Sequence, residues 1–287
     1  MASLSTLIRL EFTKAIRRPM TWILAVIYIG FLGFMYTVLT LASFISEVEG
    51  ADGMDMGGIE ESLMLPDGLG FGSALVVGVG AVVMIIFAAG MYGSEFSWAT
   101  VRMMLMMRAG RTQFVISKLV LIGVMSALVT VIGMLIVFAG SLGSEMVIDG
   151  SIDMDRAFSG DTMSELLLVT LRSAVSIGMW ALLGGMIALA FSSMAVGSGI
   201  ALAGYFIGDL VVTLIAQLGT VGEWVSRLMP TYGINGMVQL NQVGGPTFSD
   251  AEIAGMVVSL IVWGVVFVAL GLYRFKNVDV VAASSQG

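Results

Sequence analysis

Long uncharged, apolar runs alternate with short charged segments along the whole chain. Four of these runs are each long enough for one helix to cross about 30 Å of hydrocarbon: residues 19–46, 68–94, 119–144 and 253–273. A further run between Arg172 and Asp209 contains no charge and has room for most of two helices. Serines and glycines at 192–193 and 197–199 predict a turn inside it, so this region is interpreted as a tight helical hairpin.

The pattern therefore predicts an all-α polytopic membrane protein, with residues 1–287 forming a single transmembrane domain. The six predicted spans cover residues 20–43, 71–93, 117–142, 168–191, 196–217 and 253–273. All four prolines lie at the edges of these spans or in loops, as uninterrupted helices require. No internal repeat is visible in the sequence.

Composition supports a membrane protein and excludes several kinds of active site. The chain is 58% hydrophobic and 11% charged, whereas a soluble domain carries roughly 25% charged residues. It contains no cysteine and no histidine, which excludes disulfides, Cys/His zinc sites, Ser-His-Asp triads and imidazole proton relays. We therefore predict no catalytic, cofactor or metal site on this chain, and we do not expect an enzyme.

The two signs of charge are predicted to lie on opposite sides of the membrane. Ten of the 13 basic residues fall in the N-terminal segment, the connection between spans two and three, and the C-terminal segment. Sixteen of the 20 acidic residues fall in the first, third and fifth connections. By the positive-inside rule, both chain ends are then cytoplasmic. This orientation fits a multi-pass protein of a prokaryotic plasma (inner) membrane.

Residues 3–18, before the first span, show the spacing of an amphipathic helix. One interpretation is a basic anchor that lies on the membrane lipid. Glu11 complicates it, because this acid falls within the apolar stripe between Leu7 and Ala15. A carboxylate on a lipid-facing side is unfavourable, so a protein partner on that face is the alternative.

The connection between spans two and three begins with the sequence GSEFSWATVR at 93–102 and continues with MMLMMRAGR at 103–111. Residues 95–111 predict a short helix, with Glu95 and Arg102 on one face because they are seven residues apart. Four methionines in five positions give this helix an adaptable apolar surface. It is either a basic loop on the lipid headgroups or a docking surface for another protein.

This connection resembles the corresponding loop in the permease subunits of type 2 ABC exporters. The resemblance lies in the order of a small residue, Ser, Glu and an aromatic residue, followed by Thr-Val-Arg-x-x-Leu, Arg-Ala-Gly-Arg and Lys. The amphipathic helix at 3–18 is similar to the elbow helix of that family. Leu228-Met229-Pro230 is similar to its segment before an external re-entrant region, here 218–250. The resemblance implies that 95–111 is a cytoplasmic coupling helix that docks into an ATPase subunit. The residues it implies for this coupling are Glu95, Arg102, Arg108, Arg111 and Glu11.

The resemblance also implies the partners. The sequence lacks the phosphate-binding motif G-x-x-x-x-G-K-[ST], so ATP and Mg²⁺ are expected on a separate cytoplasmic ABC ATPase. A second permease, identical or a paralogue, would complete a dimer, and no nucleic-acid partner is expected. The expected activity is export of a small molecule, an ion or a peptide.

Asp209 falls well inside the fifth predicted span. Intramembrane acids are rare and usually face the bundle interior or a wet cavity, so it is a candidate for a substrate path or a subunit interface. A structural hydrogen bond is the alternative role. Two other functions stay open: an ion-coupled secondary transporter or channel that uses Asp209, and a membrane scaffold without transport of its own.

Overall fold

The computed structural model describes residues 4–49, 62–97, 111–242 and 245–277, and these form α-helices and no β-strand. Six helices are long and apolar enough to cross a membrane: α2 (Pro19–Glu49), α3 (Asp67–Ser97), α4 (Arg111–Ile148), α6 (Gly160–Phe191), α7 (Met194–Ala216) and α10 (Asp250–Asn277). The shorter helices are α1 (Leu4–Arg17), α5 (Met154–Ala157), α8 (Thr220–Arg227) and α9 (Pro230–Gln239). The predicted all-α fold with six spanning helices is confirmed.

The centre of the bundle is α3, which is apolar on all sides and packs most extensively against α6 and α4. A helix of that composition is stable where neighbours cover it all round. By contrast, α2, α7 and α10 expose many large apolar side chains, including Val26 on α2, Leu210 on α7 and Val265 on α10. Apolar surface of this extent fits helices that contact lipid or another subunit.

The predicted hairpin is the pair α6 and α7, joined by Ser192 and Ser193 alone. Ser192 has a φ of 54°, and Ser193 caps α7 by accepting a hydrogen bond from the Val196 amide. The glycines at 197 and 199, predicted as part of the turn, lie inside α7 instead. Gly197 is there because the helices cross closely: a Cβ at this position would lie 2.7 Å from the backbone of Ala188.

Two helices continue beyond the predicted hydrophobic core, so acids placed in the third connection belong to helices. Glu145 lies near the end of α4, and Glu165 lies in α6. The Glu145 side chain is buried: its Oε1 accepts hydrogen bonds from the Arg156 guanidinium at 2.8 Å and the Leu65 amide at 3.1 Å. An uncharged run in the sequence indicates which part of a helix lies in the hydrocarbon core. The helix itself can continue beyond that run, because it ends only where its backbone hydrogen bonds end.

Residues 218–250, predicted as an external re-entrant region, contain α8 and α9. The second of these packs against α10 and α6. Ile234 of α9 is fully buried in a cluster that also contains Trp180 and Leu260. The Trp263 indole in α10 donates a hydrogen bond to the Leu228 carbonyl at 2.9 Å, which ties the start of this region to the last span.

One end of the bundle gathers α1, the end of α3, the start of α4 and the end of α10. Phe275 of α10 stacks on Phe114 of α4, with ring centroids 5.6 Å apart. It also meets Phe96 of α3 edge-on at 6.1 Å. Residues 98–110, which make up most of the predicted coupling helix, lie outside the described residues. The helix before them, α3, ends at this end of the bundle, and the helix after them, α4, begins there.

Candidate functional site

The N-terminal helix α1 turns the face that carries Glu11 towards the protein. Leu7, Glu11 and Ala15 are its buried residues, and their spacing of four places them on one side. This side packs against α4. The opposite side exposes Arg9, Thr13 and Arg17. The partner of the Glu11 face is thus this chain's own third span.

Five charged side chains meet where α1 approaches α3 and α4, and we call them the ion cluster: Glu11, Lys14, Arg18, Glu95 and Lys118. Lys118 Nζ lies 2.7 Å from Glu11 Oε2 and 3.0 Å from Glu95 Oε1. Lys14 Nζ lies 2.9 Å from Glu11 Oε1 and 3.1 Å from Glu95 Oε1. Each of the two lysines therefore bridges both carboxylates.

Lys118 is the centre of the ion cluster and is fully buried. Besides the two carboxylates, its ammonium group donates to the Met91 carbonyl oxygen at 2.8 Å. The ammonium group therefore makes two hydrogen bonds, to Glu11 and Met91, and an ion pair with Glu95. The rings of Tyr92 and Phe114 lie 5.6 Å and 5.1 Å from Nζ. A buried cation is tolerated only with such complete pairing.

Glu95 connects the ion cluster to the end of α3. Its Oε1 lies 3.8 Å from the Arg18 guanidinium, which also donates to the Ser94 hydroxyl at 3.0 Å. Its Oε2 is buried without a hydrogen-bond partner among the described residues. The Glu95 side chain is 1% exposed, so it presents almost no surface to a partner. Its ion pairs hold the end of α3 in place.

The ion cluster also determines the acidity of Glu11. Burial by itself raises the pKa of the Glu11 carboxyl group, because it disfavours the charged form. The nearby ammonium groups of Lys118 and Lys14 outweigh burial, so the pKa lies below its ordinary value of 4.5. Glu11 is consequently ionised at neutral pH, and α1 is held to α4 by charge as well as by packing.

The structure brings together two of the predicted coupling residues, Glu11 and Glu95. Arg102 and Arg108 lie outside the described residues, and Arg111 is the first residue of α4. Asp209 lies elsewhere, on the exposed side of α7, where it accepts a hydrogen bond from Asn235 of α9. The assignment of Asp209 to a substrate path or a subunit interface stays a prediction.

Sequence reasoning missed Lys14, Arg18 and Lys118 as members of a site, because the charge pattern marks all three as basic flanks of spans and the resemblance assigns no role to them. A usable signal was the presence of two acids, Glu11 and Glu95, at the end of the bundle where basic residues predominate. An acid in that setting implies basic partners. It does not identify which of the basic residues are close enough.

The family model for the ABC-2 family transporter protein matches residues 7–208, which is more than half of the chain and includes the whole ion cluster. The chain belongs to the ABC-2 transporter family. No curated protein matches the chain in a sequence search.

Membership of the ABC-2 family, together with six apolar helices, identifies the chain as a multi-pass membrane protein and a transporter permease. ABC-2 permeases work with an ABC ATPase, generally as dimers, and are generally not catalytic themselves. The predicted resemblance to this family is confirmed. The ion cluster is therefore part of a permease, at the end of the bundle where α3 and α4 flank residues 98–110.

Proposed function

We propose that this chain is the membrane subunit of an ABC exporter and is driven by a separate cytoplasmic ATPase that binds ATP and Mg²⁺. The observation that carries the proposal is the ABC-2 family match over residues 7–208. The chain itself lacks a phosphate-binding loop. The cargo is a small molecule, an ion or a peptide, and two permeases, identical or paralogous, form the transport unit.

The ATPase is proposed to act at residues 95–111. Arg102, Arg108 and Arg111 supply positive charge for the ATPase, and the methionines of this segment supply apolar contact. Glu11 and Glu95 contribute indirectly, through the ion cluster that fixes the ends of α3 and α4. A push on the segment would then move α1, α3 and α4 together, because buried ion pairs hold these helices to one another.

The orientation follows from the charge distribution. The ion cluster and most of the basic residues lie at one end of the bundle, which the positive-inside rule assigns to the cytoplasm. The chain is then a multi-pass protein of a prokaryotic inner membrane, with both termini cytoplasmic. Membrane lipid contacts the apolar faces of the outer helices.

The proposal is tested by co-purification of the tagged chain with an ABC ATPase from the same organism. Reversing both Arg102 and Arg108 to Glu is expected to abolish co-purification, because the basic contacts would become repulsive. The matched control reverses Arg9 to Glu, an exposed basic residue on the far side of α1. A stable permease that never binds an ATPase, or equal loss in the control, would contradict the proposal.

One observation supports a second candidate, an ion-coupled secondary transporter. Asp209 lies within a spanning helix and is exposed on the surface of the single chain. Such a transporter would move cargo in vesicles under an ion gradient without any ATPase. Transport that requires ATP hydrolysis by a partner would eliminate it, and any transport at all would eliminate a pure scaffold.

A further inference from the structure

The outward side of α7 carries one carboxylate within an apolar surface. Asp209 is the only charged residue between 194 and 216. Its exposed neighbours Phe206, Ile207 and Leu210 are 68%, 52% and 62% accessible on the single chain. An ionised acid in such surroundings is unfavourable in hydrocarbon unless a polar partner, a cation or water meets it.

Polar side chains lie on both helices where α7 meets α9. Asn235 donates its side-chain amide to Asp209 Oδ1. Thr231 lies one turn before Asn235, on the same face of α9, and its buried hydroxyl has no hydrogen-bond partner in the part of the chain that the structure describes. The helices approach closely here: a Cβ at Gly208 would lie 2.9 Å from the Thr231 methyl group. We call Asp209, Asn235 and Thr231 the Asp209 notch.

No positive charge balances the notch within the described residues. The ion pairs found there involve Glu11, Glu95 and Glu145, and none involves Asp209. A second copy docked through the same face would bring another Asp209 to the first, which adds like charge. The Asp209 notch therefore lacks a cation that would balance the charge of its carboxylate.

We propose that the Asp209 notch recognises a hydrophobic organic cation, which is then the substrate class of this permease. The inference rests on the proposed function, because it places cargo on the α7 face. A hydrated metal ion fits less well, since it needs several oxygen ligands, and the described residues contain no group of three acidic, His or Cys side chains for one. Aromatic and aliphatic surface beside a single carboxylate matches a cation with an apolar body.

The position of the notch along α7 agrees with this substrate class. Asp209 is seven residues before the end of the helix at Ala216, or about 10 Å from it at 1.5 Å per residue. Most of the acidic residues in the described part of the chain lie towards this end of the bundle. A surface of that sign raises the local concentration of cations. Organic cations are therefore favoured at both the notch and the surface beyond it.

The test uses two probes of nearly equal size and opposite charge, tetraphenylphosphonium and tetraphenylborate. The full chain in zwitterionic lipid nanodiscs is titrated with each probe, and binding to empty nanodiscs is subtracted. The wild type is expected to prefer the phosphonium. Asp209→Asn should weaken phosphonium binding about tenfold or more, since a charge-assisted contact is lost, and Asp209→Glu should retain most of it.

Glu223→Gln is the matched control, because Glu223 is an exposed acid on the neighbouring helix α8. It should leave phosphonium binding unchanged. Size-exclusion chromatography of each variant establishes that it is folded. The inference is overturned by absence of phosphonium binding to the wild type, by equal binding to Asp209→Asn, or by equal binding of the borate. It is also overturned if Asp209→Asn only dissociates a dimer.

The same preparations separate this inference from the proposed function. If the ATPase co-purifies but phosphonium binding does not depend on Asp209, the cation site fails and the permease assignment stands. If phosphonium binding depends on Asp209 but no ATPase ever co-purifies, the ATP-driven mechanism fails. The cation site then belongs to a transporter of the second kind.

Discussion

Lys118 is the central residue of the ion cluster. Its ammonium group is fully buried and lies between the carboxylates of Glu11 and Glu95. Removing one member of a buried ion pair leaves the other charged and without compensation, which costs more than the pair itself contributes. Of the remaining cations, Lys14 pairs with both glutamates and Arg18 with Glu95.

We expect Lys118→Met to lower the free energy of unfolding by about 3–5 kcal/mol, as for other broken buried ion pairs. Thermal unfolding in one detergent or nanodisc measures this loss. The control Arg9→Met removes an exposed charge from α1 and should have little effect. Adding Glu11→Gln to Lys118→Met should restore part of the stability. A Lys118→Met protein as stable as the control would refute the role assigned to Lys118.

The lowered pKa of Glu11 gives the ion cluster a defined pH dependence. Because the folded pKa is below the ordinary 4.5, the stabilisation is complete above that value and is lost as pH falls through the folded pKa. The wild type should therefore lose more stability than Glu11→Gln as the pH falls from about 5 to about 3. Unfolding midpoints of both proteins across this range measure the difference. Parallel curves would show that Glu11 does not contribute in this way.

At the scale of elements, the α6–α7 hairpin depends on close approach of two backbones. A Cβ at Gly197 would meet the backbone of Ala188, whereas one at Gly199 would have open space around it. These two glycines lie in the same helix, two residues apart, and differ in what they face. They therefore form a matched pair for substitution.

We expect Gly197→Ala to destabilise the protein by about 1–3 kcal/mol, because α7 must move away from α6. Gly199→Ala should be neutral or stabilising by up to about 1 kcal/mol, since alanine favours helix over glycine. Unfolding of both variants in the same nanodisc measures the contrast. Similar behaviour of the two variants would show that the packing at Gly197 does not limit stability.

Sequence patterns predicted the existence of the long helices better than their ends. The apolar runs identified six spans, because each run reflects the solvent around one helix. Glu145 was assigned to a connection, yet α4 continues past it, because Arg156 and the Leu65 amide stabilise its carboxylate. A hydrogen-bond partner that the tertiary fold brings from elsewhere in the chain cannot be recognised from the sequence around Glu145.

At the scale of the whole molecule, the two ends of the bundle differ in charge, and this difference is open to a direct test of orientation. The wild-type chain has no cysteine, so single cysteines report without background. Ser151, between α4 and α5, and Thr13, on α1, are both exposed. They lie at opposite ends of the bundle.

In intact cells, we expect a membrane-impermeant maleimide to label Ser151→Cys and to reach Thr13→Cys only after permeabilisation. The reason is that the basic end of the bundle stays in the cytoplasm. The wild-type chain should remain unlabelled throughout. The reverse pattern of labelling would invert the topology, and with it the side from which an ATPase could act.

The class of fold, the number of spans and the separation of basic from acidic ends follow from the amino-acid sequence, because each is a sum of local preferences for water or hydrocarbon. The sequence also shows Glu11 and Asp209 as acids in apolar surroundings, and the family resemblance implies Glu95 as a coupling residue. What each of these acids contacts is visible only in the folded structure. Glu11 and Lys118 are 107 residues apart in the chain, and Asp209 faces outward because of how α7 is rotated against α6 and α9. The rotation of each helix and the side chains that it contacts both depend on the packing of the whole bundle.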